Sequence, residues 1–272
     1  MTAYVTQTGR LPELGVVLAG ADRSALAYLR AIRRTFRRVG IPLRELALPA
    51  DVSEPTLRAA AAELNRDPAV SGVLVLQPLP HHLPPGIASE LVDPAKDVDG
   101  ITATSAGRLA LGLPTMPPST PAGGMAILEH YGLPIAGRTA VVVGRSPVVG
   151  LPMALLLLAA NATVTICHRG TADLAAATRR ADILVAAAGR PGLITPEMVK
   201  PGATVIDFGV NVVDDQLVGD VEPAVAEVAG ALTPVPGGTG AVTNAILVRH
   251  TLRAAWSALR APHPSSVSAP NR

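Results

Sequence analysis

The chain has 272 residues, of which 49% are hydrophobic, so it can build a sizeable core in one large or two ordinary domains, and a disordered or fibrous protein is not expected. Its six aromatic residues (Phe, Trp, Tyr) and formal net charge of +2 argue against a nucleic-acid partner, which needs stacking platforms or a clustered basic surface. The single Cys167 excludes an internal disulfide. Because residues 1–10 lack a signal-peptide pattern and the most apolar run, 151–160, is about half of a membrane span, we expect a cytoplasmic protein without a membrane partner.

Short β-branched runs alternate with Ala- and Leu-rich helical patterns along the first half of the chain. The predicted strands are LGVVLA, LRELAL and GVLVL. Three helices are predicted: one that ends near Val39, one that begins near Glu54 and one near Ile87. This alternation predicts a parallel sheet covered by helices.

A second α/β series follows Pro117 and Pro118. Its predicted strands are TAVVVG, ATVTIC, DILVAAA and ATVIDFG, and its helices begin near Met125, Val149 and Ala172. These strands are continuous apolar runs, as expected for strands buried on both faces. The run TNAILVRHTLRAAWSAL has helical spacing, whereas 261–272 is rich in Pro and Ser and is expected to be disordered.

A glycine-bounded turn links the strand TAVVVG to a helix. Gly144 and Gly150 bound this turn, and Pro152 lies in the first turn of the helix. Such a turn lets backbone N–H groups and a helix N-terminus approach a pyrophosphate. The glycine spacing differs from G-x-G-x-x-G, and a tight βα turn without a ligand is the alternative interpretation.

The next strand ends at His168-Arg169, where a dinucleotide fold recognises the adenosine ribose. No acid is present to bind the 2′-hydroxyl of NAD, whereas Arg169, with Arg145 in the turn, can pair with the 2′-phosphate of NADP. The pattern favours NADP, with two solvated surface arginines as the alternative.

Four segments resemble, in order, the motifs of one family over about residues 14–256. Residues 94–100 resemble P-x-K-D-V-D-G, 118–123 resemble P-C-T-P-x-G, 144–152 resemble G-R-S-x-x-V-G-x-P, and 233–238 resemble T-P-V-P-G-G. The chain is thereby identified as a member of the bifunctional methylenetetrahydrofolate dehydrogenase/cyclohydrolase family of one-carbon metabolism.

The resemblance implies two α/β domains: a folate-side catalytic domain of 1–119 plus 244–260 and a Rossmann-like NADP-binding domain of 120–243. Tetrahydrofolate derivatives would bind in a cleft between them, and the enzyme would be a homodimer. Because residues 1–13 are shorter than the family's usual N-terminal extension, either a helix of the folate-side domain is missing or the true start lies upstream.

The resemblance also assigns site residues. Tyr28 and Asp99 would be catalytic and, with Pro236, Gly237 and Gly238, would bind the substrate; the Asp99 carboxylate can accept two hydrogen bonds from the pterin edge. The cofactor would contact Thr120, Gly144, Arg145, Ser146, Gly150, Pro152, His168, Arg169, Ala188 and Gly189.

Four departures from the family pattern cluster around the substrate side. Ile32 replaces the family Lys four residues after Tyr28 and extends the apolar stripe Leu29, Ile32, Phe36, Val39, while Ala25 replaces the family Ser. In 75–80, Leu76 and Gln77 are exchanged relative to V-Q-L-P-L-P. Gln77 is a candidate catalytic residue, but the one-position shift turns its side chain to the opposite face of the strand. Ala241 and Val242 replace the family Pro and Met.

The two family reactions tolerate these losses differently. Hydride transfer from methylenetetrahydrofolate to NADP needs mainly proximity and orientation, whereas hydrolysis of the methenyl product needs an activated water and proton transfers. We therefore expect a dehydrogenase whose cyclohydrolase activity is weak or absent. The alternatives are a non-catalytic dinucleotide-binding paralogue with a regulatory or assembly role, and hydride transfer on another pterin-like compound.

The remaining polar residues carry weaker signals. His81 and His82 are solvent-exposed loop residues or, less favoured, a replacement base. His168 and His250 suggest no metal, since no second ligand stands at metal-site spacing. The arginines of 30–38 indicate a solvated helix face, with attraction of a folate polyglutamate tail as the sharper alternative.

Overall fold

The computed structural model describes residues 1–214 and 216–260. The described residues divide into two compact units, Met1–Val98 together with 248–260, and Asp99–Leu247. The domain boundaries expected from the sequence, 1–119 plus 244–260 and 120–243, remain a prediction. The predicted disordered tail, 261–272, lies outside the described residues.

The first unit is built on a three-stranded parallel sheet in the order β2-β1-β3. Its strands are β1 Glu13–Ala19, β2 Leu43–Leu48 and β3 Val70–Val75. Its helices are α1 Thr2–Thr8, α2 Arg23–Val39, α3 Glu54–Arg66, α4 Ala88–Leu91 and the part of α9, Thr239–Arg260, that follows Leu247. All three predicted strands are present.

Helix α2 has clear start and stop signals. The Asp22 carboxylate accepts hydrogen bonds from the N–H groups of Ser24 and Ala25, and Gly40 ends the helix with φ +71°. The side chains that share its buried stripe are Ala25, Leu29, Ile32 and Phe36. The stripe fixes which face of α2 points into the core of the first unit.

The sequence left open whether the short N-terminal segment lacks a helix; residues 2–8 form the helix α1. Its one buried side chain, Tyr4, makes an edge-to-face contact with Trp256 of α9, with the ring centroids 5.5 Å apart. An aromatic pair of this geometry stabilises beyond the area that it buries. Seven residues therefore suffice to form a helix that packs on the first unit.

The second unit contains a five-stranded parallel sheet in the order β10-β7-β6-β4-β5. Its strands are β4 Thr139–Val143, β5 Thr163–Cys167, β6 Ile183–Ala186, β7 Thr204–Asp207 and β10 Ala231–Leu232, and an antiparallel hairpin joins β8 Asn211–Val213 to β9 Gln216–Val218. Its helices are α5 Ala103–Ala110, α6 Ser119–His130, α7 Gly150–Ala159, α8 Leu174–Thr178 and the start of α9.

Both faces of the inner strands β4 and β6 are covered, whereas the edge strand β5, which was predicted to be buried on both faces, is largely exposed. Val141, Val143 and Leu184 belong to one buried cluster, while Ala140 and Val142 belong to another on the opposite face. Successive side chains of a strand point to opposite faces, so a strand that is buried on both faces needs an apolar residue at nearly every position. The chain leaves β4, β5 and β6 at the same edge of the sheet, where ligands bind in open α/β sheets.

Candidate dinucleotide and folate sites

The turn after β4 is pressed against the segment that follows β6. Gly144 has φ +130°, and a Cβ at this position would lie 2.0 Å from the carbonyl oxygen of Ala187. Its N–H donates to the carbonyl oxygen of Cys167 at 2.9 Å. Only glycine combines this backbone conformation with this approach, so Gly144 fixes how closely the ends of three neighbouring strands meet.

The same turn satisfies its own donors before α7 begins. Ser146 Oγ accepts the N–H groups of Val149 at 3.1 Å and Gly150 at 3.3 Å, and the Ser146 carbonyl oxygen accepts the N–H of Leu151 at 3.1 Å. A Cβ on Gly150 would lie 2.2 Å from the carbonyl oxygen of Gly144. The first turn of α7 is thus bonded internally, and a phosphate at this turn depends chiefly on other donors.

A cavity of about 300 Å³ lies beside this turn. Six of the ten predicted cofactor residues line it: Gly144, Arg145, Ser146, His168, Arg169 and Ala188. Arg190, which the sequence did not single out, lines it as well, whereas Thr120, Gly150, Pro152 and Gly189 do not. The described lining therefore holds three arginines and no carboxylate.

His168 is held by its own turn. Its ring Nδ1 accepts the N–H of Gly170 at 3.1 Å, and its backbone N–H donates to Thr171 Oγ1 at 2.9 Å. An accepting Nδ1 carries no proton, so in the neutral ring Nε2 bears the hydrogen. The ring is oriented as a hydrogen-bond donor.

On the first unit, Tyr28 and Ile32 lie in different environments. Tyr28 is half-buried, whereas Ile32 has no solvent exposure. The neighbouring Arg33 is exposed and makes a two-point ion pair with Glu45, with Nε 2.7 Å from Oε1. Neither Ile32 nor Arg33 supplies the free amine that the family places one turn after the tyrosine.

The exchange of Gln and Leu at the end of β3 has a simple structural outcome. Leu76 is 2% exposed, and its N–H continues the sheet by donating to the carbonyl oxygen of Val17 at 2.9 Å. Gln77 is exposed and precedes the cis-proline Pro78. The apolar residue thus occupies the core position, and the amide lies outside it.

Asp99 belongs to the second unit, next to the start of α6. Ser119 Oγ donates to Asp99 Oδ1, which fixes the orientation of the carboxylate. A Cβ on Gly100 would lie 2.6 Å from the carbonyl oxygen of Met116, so the chain at 99–100 lies directly against 116–118. Two of the motifs named above therefore meet at Asp99.

The motif at 233–238 lines a different cavity of the second unit. Gly237 and Gly238 line a space of about 870 Å³ between α6 and the β7–β10 edge of the sheet, which Pro236 does not line. Val235–Pro236 is a cis peptide bond, and Gly237 has φ +103°. A Cβ on Gly238 would lie 2.4 Å from the carbonyl oxygen of Pro234, so this turn needs glycine at two successive positions.

Comparison with known proteins shows the family of the chain. The family model for the tetrahydrofolate dehydrogenase/cyclohydrolase NAD(P)-binding domain matches residues 118–259, and the model for the catalytic domain of the same family matches residues 1–99. The chain belongs to this family.

Members of the family resemble the chain over nearly its whole length. Bifunctional protein FolD from Thermomicrobium roseum is 54% identical over 244 residues, which cover 90% of this chain and 84% of that protein, and the protein of the same name from Chloroflexus aurantiacus is 55% identical over 252 residues, covering 92% and 88%. The FolD structure from Trypanosoma brucei, complexed with NADP cofactor and inhibitor, has a TM-score of 0.92 at 35% identity and covers 96% of this chain and 92% of that one.

Several predictions from the sequence are confirmed at this point: the family, the two-domain α/β fold with parallel sheets, the oxidoreductase class and the NADP cofactor. The individual site residues remain predictions. None of the described helices is long and apolar enough to cross a membrane. Within 1–214 and 216–260, no group of three His, Cys, Asp or Glu residues is placed to hold a metal ion.

Two buried aspartates of this protein, Asp207 and Asp220, were not predicted from the sequence. Asp207, 2% exposed at the end of β7, accepts N–H groups from Gly209 at 2.7 Å, Asp220 at 3.1 Å and Val221 at 3.0 Å. Burial raises the pKa of Asp207, against the effect of these hydrogen bonds. Asp220 is fully buried. In the sequence, an acidic residue at the end of an apolar strand, such as Asp207, could have been recognised as a candidate. Nothing in the sequence marks Asp220, which lies 13 residues later.

Proposed function

We propose that this protein oxidises 5,10-methylenetetrahydrofolate to 5,10-methenyltetrahydrofolate with NADP, and that its cyclohydrolase activity is weak or lost. The dehydrogenase part is supported by family membership and by one observation above all: three arginines and no carboxylate line the cavity beside the Gly144 turn. Such a lining suits a ligand with several phosphates and gives an unmodified ribose hydroxyl no acidic partner.

The residues of the second unit fit a dinucleotide. Gly144 and Gly150 keep the turn free of side-chain bulk, while Arg145, Arg169 and Arg190 supply positive charge. Because the first turn of α7 is bonded internally, these side chains carry most of the phosphate recognition. Bound NADP would supply the hydride acceptor.

We assign the folate side to Tyr28 and Asp99, with Pro236, Gly237 and Gly238. The hydrogen bond from Ser119 to Oδ1 orients the Asp99 carboxylate, and a carboxylate is a suitable acceptor for an aminopyrimidine edge. The corresponding domain assignment, a folate-side domain of 1–119 plus 244–260 and a cofactor domain of 120–243, is part of this proposal.

The weak-hydrolysis part of the proposal depends on Ile32. Its side chain is fully buried, Arg33 is engaged with Glu45, and Gln77 is displaced by one position from the family glutamine. Hydrolysis needs a group that activates water and moves protons, and these positions offer none. The relatives that are named bifunctional proteins make retained hydrolysis the competing outcome.

An assay that quantifies the two products separately distinguishes these outcomes. Purified protein is incubated with methylenetetrahydrofolate and NADP, reduced cofactor is followed by its fluorescence, and the folate products are separated by chromatography. We expect NADPH and methenyl product to rise together. Formation of NADPH with rapid loss of methenyl product would contradict the weak-hydrolysis part alone, and binding of NADP without NADPH formation would favour the non-catalytic paralogue.

We also propose the homodimer and the cytoplasmic location that the sequence led us to expect. On the hairpin β8–β9 and just before it, Val210 is 61% exposed and Val212 is 56% exposed, and Val213 and Leu217 of the same hairpin are exposed too, so exposed apolar residues are grouped there. Light scattering should give twice the chain mass of 27.8 kDa, and Val212→Asp should give the monomer mass. Leu111→Asp, at a 75% exposed position elsewhere, is the matched control. Cell fractionation tests the location.

A further inference from the structure

The loop that follows β6 is held by one buried carboxylate. Asp220 Oδ2 accepts the N–H of Ala188 at 2.6 Å and of Gly189 at 2.9 Å, while Oδ1 accepts the N–H of Arg190 at 2.9 Å. Asn211 Nδ2 donates to the same Oδ1 at 2.9 Å. Three consecutive backbone donors thus converge on a side chain with no solvent exposure.

This arrangement needs a side chain that accepts hydrogen bonds at both of its terminal atoms. A carboxylate is an acceptor at both oxygens, so it can satisfy donors on both sides at once. An amide in its place would direct its NH₂ group either at Ala188 and Gly189 or at Arg190 and Asn211, and donors would face donors in both orientations. Asparagine has nearly the same size as aspartate, so this substitution changes the hydrogen bonding with little change in packing.

The loop forms one wall of the arginine-lined cavity. Ala187, Ala188 and Arg190 line it, and the Ala187 carbonyl oxygen is the atom against which Gly144 packs. A shift of the loop therefore changes the position of Arg190 relative to Arg145 and Arg169, the other two arginines of the lining. Asp220 itself does not line the cavity, so any effect it has on a ligand there passes through the loop.

We propose that Asp220 is a positioning residue for dinucleotide binding: it holds 188–190 in shape so that Arg190 becomes a third cation for the phosphates of the cofactor. This inference rests on the proposed function only in taking NADP as the ligand. Asp220 sets the affinity for the dinucleotide and leaves the folate side unaffected.

Two variants and a control test this role. By calorimetry, Asp220→Asn and Arg190→Ala should each raise the Kd for NADP at least tenfold, with KM for methylenetetrahydrofolate within twofold of the parent. Asp182→Asn is the control: its carboxylate also accepts a backbone N–H, that of Thr139 at 2.9 Å, but at the opposite end of the sheet. It should leave the Kd within twofold.

Amide hydrogen exchange of the parent protein tests the proposal even where Asp220→Asn does not fold. The N–H groups of 188–190 should be protected in the free protein and gain little protection from NADP. Fast exchange that only NADP suppresses would show that the cofactor, not Asp220, orders the loop, and would overturn the proposal. If Asp220→Asn folds and binds NADP as tightly as the parent, the positioning role of Asp220 is overturned but the proposed function is not. If the parent protein itself binds no NADP, the proposed function is overturned as well.

Discussion

The α-carbon of Gly144 faces the carbonyl oxygen of Ala187 so closely that a Cβ would lie 2.0 Å from it. No real pair of atoms tolerates this distance, so either the turn after β4 or the segment after β6 must move when a side chain is added. Both segments line the proposed cofactor cavity. A single methyl group at this position therefore tests the cavity as a dinucleotide site.

Gly144→Ala should lower NADP affinity at least tenfold and stability by about 1–3 kcal/mol, because the turn must adopt another conformation. The control is Gly107→Ala: Gly107 lies within α5, and a Cβ there has nothing within 4 Å. This control should leave NADP affinity unchanged and leave stability unchanged or slightly raised. Calorimetric titration and urea unfolding measure both quantities. Parent-like NADP binding by Gly144→Ala would place the cofactor elsewhere.

Arg169→Ala should weaken NADP binding about tenfold and leave NAD binding nearly unchanged, because a charge-assisted hydrogen bond to the 2′-phosphate is lost. Arg38→Ala, at an exposed position of α2, removes the same charge from the chain without touching the cavity. Binding titrations with both dinucleotides provide the comparison. Equal losses for NADP and NAD would show that Arg169 contacts a phosphate that they share.

Ile32→Lys should not restore hydrolysis simply by returning the family residue. The side chain has no solvent exposure, so a lysine would be buried without a partner, and we expect the free energy of unfolding to fall by about 3 kcal/mol or more. Ile32→Val, which removes one methylene group, should cost about 0.5–1.5 kcal/mol. Urea unfolding compares the two variants. A stable Ile32→Lys protein that consumes methenyltetrahydrofolate would mean that this position opens onto the substrate.

His250 should make the first unit less stable in acid. Burial, followed by the smaller effects of Arg249 and Arg253, lowers its pKa to about 4 from 6.5, although the carbonyl oxygen of Val98, 2.9 Å from Nδ1, and Asp97 act in the opposite direction. The unfolded chain therefore takes up a proton below pH 6.5 that the folded chain resists. The contribution is complete above pH 6.5 and falls toward pH 4 by about 3 kcal/mol.

Denaturant unfolding across this pH range checks the prediction for His250. His250→Asn can keep a donor toward Val98 but does not titrate, so its stability should depend less steeply on pH between 6.5 and 4. Parallel curves for the parent and His250→Asn would assign the acid sensitivity to other groups.

Local pattern predicted the strands and the α2 stripe well. Residues 43–48 form β2 as expected, and Leu29, Ile32 and Phe36 are buried, although Val39 at the helix end is only half-buried. Periodicity works here because each residue's environment follows from its neighbours three or four positions away.

Other features depend on contacts between distant residues, which periodicity does not contain. Asp220 bonds to residues about 30 positions earlier, and Tyr4 finds its partner near the other end of the described chain. The short α5 and the hairpin β8–β9 also went unpredicted, because each offers too few residues for a clear period. The arginines at 145 and 169 were predicted because their positions follow from where strands end, whereas Arg190 is recognised only through the loop that Asp220 holds.

The contact between Tyr4 and Trp256 has a consequence for synthesis on the ribosome. Domains usually fold in the order in which they emerge. Here the first unit contains both residues 1–98 and residues 248–260, and the whole second unit is translated in between. The second unit can therefore complete its sheet while the amino-terminal helix α1 still lacks the aromatic ring against which it packs, so the unit that begins the chain is the last to be finished.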